Sequence, residues 1–274
     1  MGLAKRHFSR LKNQVLSSID PKYTSDWTIL VLAIDRSSEM VGQYLQKRYR
    51  GIIFADGLYS TNSFKEGMVK ALSDIEIPNR HRVLGVWGSG MYHHFTYGLC
   101  RAMADRRSKS YAYMHFDHHG DCGNYGSSWL FGCAAFVSSI IRGSNAQTAR
   151  FVGNKGFFEE KGVEGKFSEA RYVLEKDLRT MDIENRVEYL LEGTPRDVYL
   201  SVDLDVMNRK EINTHYRGHG ENDGNLTSKE LLTMLSLIGE RKNVIGADVL
   251  GFNGDGDLGL QLYDAIVGTL IKKT

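Results

Sequence analysis

The run Phe116-Asp117-His118-His119-Gly120-Asp121 places four ionisable side chains in the five residues that follow an apolar stretch beginning at Tyr111. Uncompensated charge beside a core is costly, and a divalent cation would supply the counter-charge. The Asp-x-His-x-Asp spacing predicts Asp117, His119 and Asp121 on one side of an extended segment, because alternate side chains of extended backbone share a face. Tyr199-Leu200-Ser201-Val202-Asp203-Leu204-Asp205 repeats the theme, ending in carboxylates two residues apart whose repulsion a bridging cation removes. A cap or turn role would account for Asp203 and leave Asp205 unexplained. A third cluster, Gly88-Ser89-Gly90-Met91-Tyr92-His93-His94, reads as a glycine-rich turn that opens a helix. Each cluster alone also has a bland reading as core or surface histidine and solvated turn. Together they offer the ligands for two ions, with four carboxylates nearly cancelling two divalent charges. Carboxylate mixed with imidazole suits Mn2+, Fe2+ or Zn2+, and so much carboxylate favours manganese over zinc.

Such clusters need strands to aim them. Candidate strands are Thr28 to Ile34, Gly51 to Ala55, Val83 to Trp87, Tyr111 to Phe116, Ala149 to Gly153, Arg171 to Leu174, Val198 to Asp203 and Asn243 to Val249. Between them lie amphipathic segments, Ser63 to Asp74, His93 to Arg106, Lys176 to Leu191, Lys229 to Arg241 and Leu258 to Lys273. Thr227-Ser228-Lys229-Glu230 has reciprocal capping-box spacing and marks one helix start. Strand and helix in alternation predict a three-layer α/β/α fold on a mainly parallel sheet of about eight strands. In such a sheet ligands bind beyond the carboxyl ends of the strands, where all three clusters fall. No Pro/Gly/Ser-rich linker divides the 274 residues, so 1–274 reads as a single domain, with 1–25 a basic solvated helix or arm.

Composition removes several functional classes. Lys and Arg total 35 against 33 Asp and Glu, too balanced to argue for a nucleic-acid surface. No apolar run approaches the ~20 residues of a membrane span, so no membrane partner is expected. Three cysteines, Cys100, Cys122 and Cys133, include no CxxC pair, which fits small buried thiols in a reducing, cytoplasmic setting.

At these motifs the sequence resembles the ureohydrolase family, the arginases, agmatinases and formimidoylglutamases. The family's Gly-Gly-Asp-His-Ser, Asp-Ala-His-x-Asp and Ser-x-Asp-x-Asp patterns have counterparts in Gly90 to His94, Asp117 to Asp121 and Ser201 to Asp205. Thr96-Tyr97 after His93 and Asn225-Leu226-Thr227 also match, and the former favours His93 over His94. The resemblance implies an arginase-like fold and two Mn2+ ions. One ion would be held by His93, Asp117, Asp121 and Asp203, the other by Asp117, His119, Asp203 and Asp205. It implies hydrolysis of a linear C–N bond in a small-molecule substrate by a water activated between the two ions, without a protein nucleophile. Trimers or hexamers of the chain are expected on the same ground.

The departures lie in substrate recognition. Where the family pattern has Asp-x-x-Glu, its Glu holding a guanidinium, this chain reads Asp248-Val249-Leu250-Gly251. Phe131-Gly132 stands where the family has His-Gly, and Asn124 falls one place later than the family's Asn. Asn124 and His94 are candidates for substrate contact. His215 and His219 are candidates for protonating the leaving nitrogen, since they follow the Asp203 to Asp205 strand end and imidazole titrates near neutrality. Arginine is therefore expected to be a poor substrate. Two other readings remain: a related single-zinc deacetylase, suggested by His118-His119-Gly120-Asp121, and a scaffold that keeps the ions without turnover, suggested by Phe131 and Gly251.

Overall fold

The computed structural model describes residues 26–56, 63–122, 130–132, 135–155, 170–208, 210–212, 224–252 and 257–272. Eight strands form one wholly parallel sheet: β1 (Trp27–Ala33), β2 (Ile52–Asp56), β4 (Arg82–Val86), β5 (Tyr111–Phe116), β7 (Ala146–Val152), β8 (Arg171–Val173), β9 (Asp197–Asp203) and β10 (Asn243–Leu250). Their order is β2-β1-β4-β10-β9-β5-β7-β8. Each of the eight overlaps a segment read from sequence, because strands covered on both faces are rich in apolar residues and stand out as runs, although β7 begins three residues earlier than expected, at Ala146. The short pair β3 (Ser63–Phe64) and β6 (Leu130–Phe131) is antiparallel and separate.

Helices cover both faces. On one side α1 (Arg36–Gln46), α5 (Ile183–Leu191), α6 (Ser228–Arg241) and α7 (Asp257–Lys272) pack on residues such as Val31, Val86, Met114 and Leu200. On the other, α2 (Lys65–Ser73), α3 (Phe95–Leu99) and α4 (Phe136–Gly143) pack on Leu30, Leu32, Tyr113, Phe151 and Tyr199. The helix expected from His93 to Arg106 is α3 continued by a π-helical turn, Cys100–Ala104, and a last turn, Asp105–Arg107.

Three local expectations change. The helix expected from Lys176 starts later, since Asp182 accepts the N–H of Asn185 at 2.8 Å and caps α5 there, leaving a 3-10 turn at Asp177–Arg179. Neither α1 nor α4 was expected. α1 carries its own capping box between Asp35 and Ser38 rather than the Ser/Thr-to-Glu form, and α4 is a β-branched run that reads equally well as a strand. The box at Thr227 and Glu230 is present as expected: Glu230 N donates to Thr227 Oγ1 at 3.2 Å and Thr227 N to Glu230 Oε2 at 3.0 Å. Cys100 and Cys122 are buried, and Cys133 lies outside the described residues. Among the described residues no helix is long and apolar enough to cross a membrane.

Candidate metal centre

The sheet brings β4, β10, β9 and β5 side by side, and the three polar clusters sit at the carboxyl ends of β4, β9 and β5. After β4, a 3-10 turn over Gly90–Tyr92, capped by Ser89, delivers His93 to the start of α3. After β5 the chain does not stay extended, contrary to the face-sharing expectation. Asp117 accepts the N–H of His119 at 2.5 Å, closing a turn, and Asp121 adopts a left-handed backbone with φ of 47°. At the end of β9 the same device recurs, with Asp203 accepting the N–H of Asp205 at 3.1 Å and capping a 3-10 turn at Leu204–Val206. Turns rather than strand alternation therefore aim the i and i+2 side chains at a common point.

Convergence is tight. His93 Nδ1 lies 3.0 Å from Asp117 Oδ2, 3.0 Å from Asp121 Oδ2 and 3.6 Å from Asp203 Oδ2. His119 Nδ1 lies 2.9 Å from Asp205 Oδ2 and 3.6 Å from Asp117 Oδ1. Asp205 Oδ1 in turn accepts the N–H of His118 at 3.0 Å, tying the β9 turn to the β5 turn. His93, Asp117, Asp203 and Asp205 are buried, and His119 and Asp121 are partly so.

The hydrogen-bond network assigns the tautomer of His93. Ser201 Oγ donates to Asp248 Oδ1 at 2.7 Å, so its lone pair is what His93 Nε2–H meets at 2.8 Å. Asp248 also accepts from Tyr199 Oη at 2.8 Å and is fully buried. Nδ1 of His93 is then the nitrogen that faces the three carboxylates; burial would lower this imidazole, but Asp117 and Asp121 raise it well above its ordinary range. Lone pair against carboxylate is repulsive unless a proton or a metal cation lies between them, and an imidazole held at its far nitrogen by a carboxylate relay is the usual support of a metal ligand. The donor set of imidazole nitrogen and several carboxylate oxygens fits divalent Mn2+ or Fe2+.

Electrostatics agree. Burial, then the neighbouring charge of Asp205, pushes Asp203 well above the usual carboxylate range. Burial and Asp117 push Asp205 up to about 7. Burial also raises Asp121 and Asp248. Asp117 behaves oppositely: burial would raise it, but His115, His119 and His93 together hold it well below the usual range. Hydrogen bonds to Asp117 and Asp205 raise His119 to about 11. A group of acids that cannot all ionise beside one another is what remains when only protons balance the charge.

His94 is also fully buried, its ring 4.9 Å from that of Phe95. Asn124, His215 and His219 lie outside the described residues. Sequence reasoning missed His115, which is fully buried, stacks on His93 with ring centres 5.1 Å apart, and places Nε2 3.3 Å from Asp117 Oδ2. The available signal was an ionisable residue two places before Asp117 in an otherwise apolar strand. By distance alone, His93, His115 and Asp117 form one group whose nitrogen and oxygen atoms could converge on an ion, and Asp117, His119 and Asp205 form another.

At Gly251 the backbone has φ of 91°, and a Cβ would overlap Asp203 Oδ1 and lie 2.8 Å from Leu204 N. Its N–H donates to Gly88 O at 2.7 Å, so β10 ends in a clamp against the loop that carries His93. No side chain fits there without displacing Asp203.

The family model for arginases matches residues 77–260, which hold every one of these groups. The chain belongs to the arginase family. Among solved structures, an agmatinase-like protein from Burkholderia thailandensis, named a hypothetical agmatinase, superimposes with a TM-score of 0.67 at 18% identity, covering 92% of this chain and 88% of that one. The formimidoylglutamase of Bacillus subtilis gives 0.64 at 16% identity over 99% and 98% of the two chains. An Entamoeba histolytica arginase solved with L-ornithine gives 0.65 at 11% identity over 89% and 97%. Identities this low establish the arginase-like fold and nothing finer. No curated protein matches the sequence significantly.

Proposed function

We propose that this arginase-family chain is a hydrolase of a linear C–N bond in a small amide, amidine or atypical guanidino compound, working with two divalent ions, Mn2+ by preference. His93, Asp117, Asp121 and Asp203 would hold one ion, and Asp117, His119, Asp203 and Asp205 the other. The observation that carries the reading is His93 Nδ1 aimed at the carboxylates of Asp117, Asp121 and Asp203, a position where a metal cation can replace the proton. The arginase family consists of binuclear metal hydrolases acting on C–N bonds, which supports it. Ions of this class, when bound, polarise the scissile group and lower the pKa of water toward neutrality.

The chain's own residues do the rest. Asp248 and Ser201 keep His93 in one tautomer and orientation. The backbone N–H groups of His119 and Asp205 fix Asp117 and Asp203, so the carboxylates need little reorganisation when charge develops nearby. His215 or His219 would protonate the departing nitrogen, and Asn124 and His94 would contact substrate. Gly251 in place of an acid removes the expected anchor for a guanidinium, so the reacting group is one that needs no such anchor.

The test is a screen of amides, amidines and guanidino compounds with added Mn2+, reading urea, ammonia and amine release. Turnover of an amide or amidine with negligible urea from arginine is expected; robust urea from arginine would overturn the substrate assignment. Gly251 and Phe131 favour the second reading, an ion-holding scaffold without turnover, and a wholly silent screen on metal-loaded protein would select it. One tightly held zinc per chain would instead select the deacetylase-like reading.

A further inference from the structure

β5 and β9 pair in parallel with His115 opposite Ser201 and Tyr113 opposite Tyr199, and β9 pairs with β10 with Ser201 opposite Asp248. One row across three central strands therefore reads Asp248, Ser201, His115, directly beneath the carboxylates. Within β5, Tyr113 and His115 are two residues apart and share a face, which brings Tyr113 Oη to 3.0 Å from His115 Nδ1. The other ring nitrogen, Nε2, lies 3.2 Å from the backbone oxygen of His119 and 3.3 Å from Asp117 Oδ2. A carbonyl oxygen can only accept, so Nε2 carries hydrogen and, in the neutral ring, Nδ1 accepts from the tyrosine hydroxyl. Packing fixes the ring plane: His93 stacks on it, and Phe151 meets it edge-on at 5.6 Å between centres and 79° between planes.

We infer that His115 is a positioning residue of the centre, one that Tyr113 holds with Nε2–H directed at Asp117 and at the His119 carbonyl, so that Asp117 and His119 are aimed before any ion arrives. It is the counterpart on β5 of the Asp248–Ser201 relay that holds His93. A structural histidine would serve packing alone, whereas this one bonds the carboxylate proposed to be shared by both ions and the backbone of a second proposed ligand. The assignment also separates His115 from the ligands themselves. Its Nε2 is spent as a donor, so it offers no lone pair to a cation. This inference rests on the reading of Asp117 and His119 as ion-holding groups.

The test uses Mn2+ alone, titrated into the metal-free full-length chain by calorimetry and by the loss of free-ion electron paramagnetic resonance signal. His115→Gln keeps an N–H near the Nε2 position, and His115→Asn keeps one near Nδ1 and none toward Asp117. His115→Asn should weaken Mn2+ binding about 10- to 100-fold, the range for losing such a supporting group, while His115→Gln stays within about threefold of wild type. Tyr113→Phe, which keeps the ring packing, should weaken binding measurably with the fold intact, and it decides the matter if His115→Asn does not fold. Equal weakening in the Gln and Asn variants, or wild-type binding in His115→Asn or Tyr113→Phe, would overturn the inference. A wild-type chain that binds no Mn2+ would instead overturn the metal reading itself, so the two failures are distinct.

Discussion

The turns that end β5 and β9 are built alike and charged differently. In each, an aspartate at or just past the strand end accepts the N–H of the residue two places on, and that residue presents a further polar group to the same point. Asp117, after β5, sits among three imidazoles and is held well below the ordinary carboxylate range. Asp203, at the end of β9, faces other carboxylates and the backbone at Gly251, and burial drives it well above that range. The comparison teaches that one half of the cluster carries its own counter-charge, whereas the other depends on a cation from outside.

The largest effect should come from removing either carboxylate proposed to be shared by the two ions. Asp117→Ala and Asp203→Ala are each expected to lower bound metal sharply by elemental analysis and to abolish the rise in melting temperature on adding Mn2+. Metal content unchanged in both variants would break the comparison at its root. Next is Gly251→Ala, where a strained φ and overlap with Asp203 should cost about 2–3 kcal/mol in denaturant unfolding and weaken metal binding.

Smaller, but more discriminating, is the behaviour of the metal-free protein. A raised acid contributes stability that is present below the unfolded carboxylate pKa and is lost as pH rises through its folded value; a depressed acid contributes stability above the unfolded pKa that is lost as pH falls. Hence at pH 8 Asp203→Asn should melt a few degrees above wild type and Asp117→Asn a few degrees below it. Asp205→Asn, replacing an acid raised to about 7, should gain on wild type as pH climbs from 4 to 8. The same sign for Asp117→Asn and Asp203→Asn would show that the two turns are not electrostatically distinct. The smallest effect is the control on the far helix layer: Thr227→Ala should cost about 1 kcal/mol through the lost cap and leave metal binding untouched.

Much of this was legible in the sequence. Buried parallel strands announce themselves as apolar runs, and the polar bursts at Asp117 and Asp203 announce strand ends, so the eight strands and the converging side chains could be read directly. α1 escaped because its apolar residues are few and Gly42 interrupts them; a Cβ there would lie 2.6 Å from Phe54 and 2.7 Å from Val31, so the helix pays in propensity for a close approach to the sheet. His115 escaped because period-2 reading treats every residue of a buried strand as packing, and only strand register shows that it lies opposite Ser201. The turn geometry at Asp117 was beyond reach for a related reason. An aspartate's side chain competes with the backbone for N–H groups, and sequence spacing alone does not say which wins.

Gly251 also sets a limit on redesign. Because its missing side chain is the space that Asp203 occupies, no single substitution can place an acid at this position without dislodging a carboxylate of the cluster. Installing guanidinium recognition here would therefore require rebuilding the β10 exit as a unit.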